Sequence, residues 1–448
     1  MIDKLETIFT YTIMSPLYIL VGIKKLLKKI LSSNHRVLKM LFTFYLTSLL
    51  LFYYGPINYP KVNTLYVVIY ISGYLGCFLL GYYFSIVFRN KQSKPKKTEL
   101  KINWLLFDIG LTLGTVLSLL SLVSIVGNEG IGNIIEKVIL GLSNPEIAYG
   151  ENLEMIKEGG LLTQLSTLLS PITFIVLPIG MYFFKDMLVR RKLFYVLYVC
   201  LEVMTYISKG TNFGIFKIAV ILITIFFIKT QNMTKEKKKM RNVAMFIGVF
   251  TVFYFFFSIT SRMAYTKIPT SIFFIPIDQN SLLFKILPPF LSLPILTGLS
   301  YATQGFYGFS LAFSYNFTST YGFGSGRFLI SLPERLFNVD LWEKTYQYKM
   351  DSIWSSRVNW HTAFTWIAND VGFFGVLIVM LILGTIFGFI LKEATQGENI
   401  LAISLLPLYM IILIFLPLNN IVLDNPLTAV PFIVLNMLWI MTKLLRRN

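Results

Sequence analysis

Apolar runs of about 20 residues recur along the chain between short polar or basic segments. Each is long enough to cross ~30 Å of hydrocarbon as a helix. The runs are 37–54, 64–87, 103–126, 162–184, 193–208, 211–228, 242–259, 366–391, 400–417 and 427–443. They predict an all-α polytopic membrane protein of about ten transmembrane helices. The apolar stretch 5–23 is Thr-rich and contains Pro16, so it reads as an interfacial segment, with an eleventh crossing as the alternative.

Two long stretches interrupt this rhythm. The first, 127–160, carries Glu129, Glu136, Glu146, Glu151, Glu154 and Glu158 around a short helix expected at 131–142. It reads as a solvated cover or as a lid. The second runs from Ser261 to Trp360 and is polar, aromatic and basic. Within it, 281–299 is apolar, but Pro288, Pro289 and Pro294 break its helical period, which predicts a segment dipping into one leaflet. The chain thus divides into an N-terminal segment at 1–36, a first bundle at 37–259, the long loop at 260–361 and C-terminal helices at 362–448.

Charge orients this plan. The formal charge of +18 could suggest nucleic acid, but the basic residues gather at 24–39, 89–101, 185–192, 229–241 and 443–447. Those clusters fall at alternate ends of the apolar runs, as cytoplasmic loops do. They place 127–160 and 261–360 on the outer face, and they argue for contact with membrane lipid and against nucleic acid. The N-terminal apolar run is followed by Lys24, Lys25, Lys28 and Lys29, with no small-residue cleavage site of a signal peptide. Cys77 and Cys200 both fall in predicted spans, so no disulfide framework or thiolate metal site follows.

Ionisable groups inside spans need partners. Glu202 and Lys217 each lie about seven residues from the turn at Lys209–Gly210, hence at one depth. They either pair with each other, or Lys217 faces a cavity and helps hold an anion. Three constellations carry chemistry. Ser208–Asn212 puts the Lys209 amine and free backbone N–H groups at a helix start, a natural anion site, with an interfacial snorkelling lysine as the alternative. Tyr301, Gln304, Gly305, Tyr307 and Gly308, followed by Tyr321–Gly324, combine aromatic faces with glycines that permit close approach, as a sugar site would. The third joins Trp354, Arg357, Asn359, Trp360, His361, Trp366, Asp370, Gly372 and Gly375 at the mouth of a span. His361 and Asp370 are nine residues apart, half a turn out of phase on one straight helix, so they act separately or the chain bends between them. No nucleotide-binding loop, nucleophile elbow or clustered Cys/His set is present, which argues against cofactor or metal chemistry.

These motifs resemble the Wzy-type oligosaccharide repeat-unit polymerases of O-antigen and capsule assembly, and more distantly the O-antigen ligases. The ligase pattern of His, eight residues, an acid, then x-Gly-x-x-Gly reads here as His361, Asp370, Gly372 and Gly375, with Asp in place of the usual Glu. The Arg-x-x-x-Leu element of ligases reads Lys209–Phe213, with Lys for Arg and Phe for Leu. The resemblance implies a GT-C-like, multi-pass glycosyltransferase of the bacterial inner membrane. Donor and acceptor would be polyprenyl-diphosphate-linked oligosaccharides presented at the outer leaflet, with a flippase and a chain-length regulator as associated proteins. It assigns Arg262, His361 and Asp370 to catalysis, with one of the last two as general base. Lys209, Lys217, Arg327, Arg335 and Arg357 would hold the diphosphate, and Tyr301 and Gln304 the substrate. The alternatives are a ligase-like glycosyltransferase and a flippase for the same lipid-linked oligosaccharide.

Overall fold

The computed structural model describes residues 36–90, 100–126, 131–157, 160–231, 237–263 and 268–445. The segment 5–23 and the side chain of Arg262 lie outside that description. The chain forms two compact units, 1–50 and 51–448, and the described part of the first is the greater part of one helix.

All ten expected spans are helical. They are α1 (Arg36–Tyr54), α2 (Thr64–Asn90), α3 (Trp104–Val126), α6 (Leu161–Tyr182), α7 (Val189–Ser208), α8 (Asn212–Gln231), α9 (Lys237–Met263), α12 (Ala363–Gln396), α13 (Ile400–Phe415) and α14 (Pro426–Leu445). Between α3 and α6 stand α4 (Ile134–Ser143) and α5 (Pro145–Lys157); the second of these was not expected. The long loop holds α10 (Pro289–Ala312) and α11 (Arg327–Phe337), besides shorter turns and a two-stranded hairpin at 271–276. By length and composition, six described segments can cross a membrane: Thr64–Val87, Trp104–Val126, Leu161–Tyr182, Asn212–Thr230, Ala363–Gln396 and Pro426–Leu445. Shorter apolar helices occupy Leu38–Tyr54, Asn242–Phe256 and Ile400–Phe415. The result is an all-α membrane architecture.

The closest packing joins α2 to α12. A Cβ added to Gly81 would lie 1.9 Å from the Leu381 carbonyl oxygen, and one on Gly384 would lie 2.0 Å from that of Phe78. Only glycine lets two backbones approach so far, and without a hydrophobic drive between helices in lipid, such close van der Waals contact is what holds them.

Contacts sort the helix ends into two groups. At one end, which we call the basic end, Arg191 makes a two-pronged pair with Asp108 at 2.6 and 2.7 Å, and its guanidinium stacks 4.4 Å from the Trp104 ring. Lys229 lies over Tyr182, and Lys443 pairs with Glu393. This end carries described residues of three of the basic clusters, 185–192, 229–241 and 443–447. The opposite end, the far end, carries α4, α5 and the long loop.

The apolar segment 281–299 continues further as helix than its prolines suggest. Pro288 caps α10 and Pro289 is its first residue, positions where a missing N–H costs nothing, so only Pro294 sits inside. The chain enters α10 from 277–278, which pair with Ile57 and Pro56, and leaves it at Ser314, which accepts a hydrogen bond from Asn63. Phe313 then stacks on Tyr70. Both 277–278 and Ser314 meet the link between α1 and α2, so α10 ends at the far end and the chain before it passes through that end.

Candidate functional site

A cavity of about 80 Å³ lies among α3, α6, α7, α8 and the first turn of α14. Its wall includes Ser118, Ser121, Ser166, Ser170, Thr173 and Thr205, together with Glu202, Lys209 and Lys217. Lys217 is only 4% exposed. Its ammonium donates to the Tyr206 hydroxyl at 2.8 Å and lies 3.7 Å from a Glu202 oxygen, while Ser118 donates to the other Glu202 oxygen at 2.8 Å. The pair therefore forms across the α7–α8 hairpin, and Lys217 also faces the cavity. Lys209 donates to Ser121 at 3.1 Å. Two ammonium groups stand against one carboxylate, leaving the wall cationic. Lys209 closes α7, Ser121 lies near the end of α3, Ser166 near the start of α6 and Leu427 at the start of α14, so the cavity belongs to the far end.

The backbone at 209–211 is not an open anion site. The Thr211 N–H bonds the Tyr206 carbonyl and the Gly210 N–H bonds that of Ile207. This is the closing pattern of a helix C-terminus, with Gly210 at φ +59°, and it consumes the Lys209, Gly210 and Thr211 amides of that segment. Gly210 also meets the acidic segment, since a Cβ there would lie 2.4 Å from the Pro145 oxygen. Gly141 of α4 meets the Ile207 carbonyl in the same way. The α4–α5 hairpin, braced by Lys137–Glu151 at 3.1 Å, thus sits on the turn that carries Lys209.

Asp370 organises the second feature. One carboxylate oxygen accepts from the Thr320 hydroxyl and from the Gly322 and Gly324 amides, the latter two at 2.9 and 2.8 Å. The other accepts from Ser325 at 2.6 Å, and the Asp370 carbonyl accepts from Ser319. Asp370, one of the two candidate bases, thus clamps 319–325, and its partners among the described residues are hydroxyls and amides rather than an arginine. Asn369 adds bonds to Gly324 and Gln347, and α12 is broken just beyond at Gly372. The clamped segment then meets the link between α13 and α14. Asn420 donates to the Ser325 carbonyl, and the Arg327 amide, which opens α11, donates to Asp424 at 2.9 Å. Burial pushes the Asp424 carboxyl up to about 6, against the opposing pull of Arg327 and Asn419.

His361 lies just before α12 and is 1% exposed. Burial, reinforced by the positive field of Arg327, pushes its pKa down to about 3, so it is a neutral imidazole. The Trp354 carbonyl favours the protonated ring, yet neither ring nitrogen makes a well-formed hydrogen bond. Gln304 accepts from the Trp360 amide at 3.1 Å and is fully buried. Tyr301 lies with its ring 4.5 Å from that of Trp360 and 5.9 Å from that of Phe255 on α9. The two ends of the long loop are thereby joined through Tyr301. His361 precedes α12, so the half-turn phase of a shared helix does not apply: His361 is buried beside Trp354 and Asp370 clamps 319–325.

Arg327, Arg335 and Arg357 are exposed, and none makes an ion pair among the described residues. Arg262 is in the last turn of α9. Sequence reasoning passed over Asn419, Asn420 and Asp424. Their signal was a polar run, Asn419-Asn420 and then Asp424-Asn425, set between two spans. The chain matches no family model, no curated protein and no solved structure.

Proposed function

We propose that the protein joins polyprenyl-diphosphate-linked oligosaccharide repeat units at the outer face of the membrane, the far end being outside. The observation that carries this reading is the cationic, hydroxyl-walled cavity at the far end of the bundle, with Lys209 and Lys217 in its wall. An ammonium in a low-dielectric wall favours a phosphoryl group, and Ser and Thr hydroxyls can donate to its oxygens. The spacing of His361, Asp370, Gly372 and Gly375 supports the same family.

In the reaction, an acceptor hydroxyl at the non-reducing end of the incoming unit attacks the anomeric carbon of the donor glycan. The new C–O bond forms as the bond from that carbon to the lipid diphosphate breaks. The electron pair leaves with the diphosphate, whose developing charge Lys209, Lys217 and Arg262 stabilise. The hydroxyl proton passes to Asp424, whose raised pKa suits a base near neutral pH and which lies three residues before Leu427 of the cavity wall. Asp370 holds the loop that opens α11. His361, kept neutral, packs the start of α12.

Glycan chain length in cells carrying Lys209→Ala or Asp424→Asn at normal expression tests this. Loss of polymer with accumulation of single lipid-linked repeats is expected; wild-type chain length in both variants overturns it.

A further inference from the structure

Tyr321 adopts φ +58°, a conformation that bulky side chains rarely take, and it is nevertheless 71% exposed. Little of its ring is buried to offset the strain. The residues around it hold it there: Thr320, Gly322 and Gly324 all donate to Asp370, and the Tyr321 amide donates to Ser319. Strained backbone over-determined by its surroundings is characteristic of functional positions.

Cations from one further segment reach the same loop. Lys344 places its ammonium 4.7 Å from the centre of the Tyr321 ring. Lys349 donates to the Asn316 carbonyl at 2.7 Å and to Thr318 at 3.0 Å. Half-exposed Phe317 lies over the Gly372 kink on the same loop. Of the acids in this segment, Asp340 accepts from the Trp342 amide and Glu343 lies 3.5 Å from the Tyr348 hydroxyl.

We infer that Tyr321 and Lys344 form a docking platform for an acidic sugar residue, a uronic acid or a sugar of equivalent charge. An aromatic face carries negative charge density and attracts the C–H bonds on one face of a pyranose. An ammonium at the ring is placed to pair with a sugar carboxylate, which a neutral sugar lacks. The Asp370 clamp fixes the backbone that carries the ring before the ligand arrives, so little backbone ordering entropy is lost on binding. The platform rests on the reading above that the ligand is a glycan, and it adds the charge class of that glycan.

The test uses the full chain in lipid nanodiscs and two probes of equal length, an oligogalacturonate and a neutral oligogalactose, with affinity measured by calorimetry. The acidic probe is expected to bind about ten-fold more tightly than the neutral one. Tyr321→Ala should weaken both by about ten-fold, and Tyr321→Trp should retain them. Lys344→Gln should abolish the preference for acid while leaving neutral binding unchanged. Tyr321 is exposed and Lys344 partly so, and unchanged thermal unfolding verifies the fold of each variant. Absence of oligogalacturonate binding, or equal affinities for the two probes, overturns the platform; so does insensitivity to Tyr321→Ala or Lys344→Gln. If the platform fails while Lys209→Ala still abolishes polymer, the polymerase reading stands without it. If the platform binds as expected while Lys209→Ala and Asp424→Asn make wild-type polymer, the polymerase reading falls alone.

Discussion

The two ends of the bundle treat their carboxylates differently. At the basic end, cations answer them directly: Arg191 pairs with Asp108, and Lys443 with Glu393, which also accepts from Trp439. At the far end Lys137 pairs with Glu151 on the α4–α5 hairpin, but Asp370 and Asp424 take their hydrogen bonds from hydroxyls, backbone amides and the Asn419 side chain. The first arrangement neutralises charge within the protein. The second satisfies the acids while leaving Arg327, Arg335 and Arg357 outside any ion pair among the described residues. The cavity lies between the two styles, since Lys217 is paired and Lys209 meets only a hydroxyl at hydrogen-bonding distance.

The largest effect is expected where pairing occurs in low dielectric. Glu202→Gln strands the buried Lys217 ammonium and should cost about 3–5 kcal/mol, read as lost folded yield and a lowered midpoint of thermal unfolding in detergent. Adding Lys217→Met should recover much of it. A double variant no better than the single would break the pairing.

Asp370→Ala removes the acceptor for four donors, and hydrogen bonds to a charged group contribute about 1.5–3 kcal/mol each at most. The expected loss is local. Hydrogen exchange at the Gly322 and Gly324 amides should speed up by about 100-fold, while α2 and α12 keep their protection. Unchanged exchange at both amides would remove the clamp.

The pH dependence sharpens the contrast further, because two far-end groups act in opposite directions. His361 has a folded pKa of about 3 against the ordinary 6.5, so the unfolded chain takes up the proton first and stability is lost as pH falls from 6.5 towards 3. Asp424 has a folded pKa of about 6 against 3.8, so its contribution is fully present below 3.8 and lost as pH rises through 6. His361→Gln should therefore flatten the acid limb of the stability curve, and Asp424→Asn should steepen it. The same sign from both variants would contradict the assignment of either. Polymer synthesis in isolated membranes should fall as pH drops through about 6, where Asp424 gains its proton.

The smallest effect is expected at the basic end. Arg191→Lys exchanges a fork for a point charge at a part-exposed pair and should cost about 0.5–1 kcal/mol by thermal unfolding. A larger loss there would mean that the basic end depends on its ion pairs as much as the cavity does.

The periodicity of apolar residues located all ten expected helices, because burial in lipid selects long apolar runs whatever their partners. The sequence also contained the Glu202–Lys217 pair, since a turn at Lys209–Gly210 sets both at one depth. The role of Asp370 was less visible. Its partners lie 45 to 51 residues earlier and include backbone amides, which every residue has and which no side-chain pattern reveals. Asp424 was hidden for a related reason, as a short polar link between two spans reads as a turn until a helix start is found resting on it. The extent of α10 was misjudged because a proline was counted as a breaker irrespective of its place in the helix.

The broken helix α12 also carries an order of assembly. Residues 319–325 leave the ribosome before Asp370, so the loop is made before the acceptor that fixes it. When the first part of α12 follows, Asp370 can gather Thr320, Gly322, Gly324 and Ser325 at once. The Arg327 amide and the Ser325 carbonyl must wait longer, since Asp424 and Asn420 arrive only after α13 has been synthesised. Chains grow from the N-terminus, so the far end closes in two stages, the second gated by the penultimate helix. A nascent chain halted after α12 would hold the clamp without its latch.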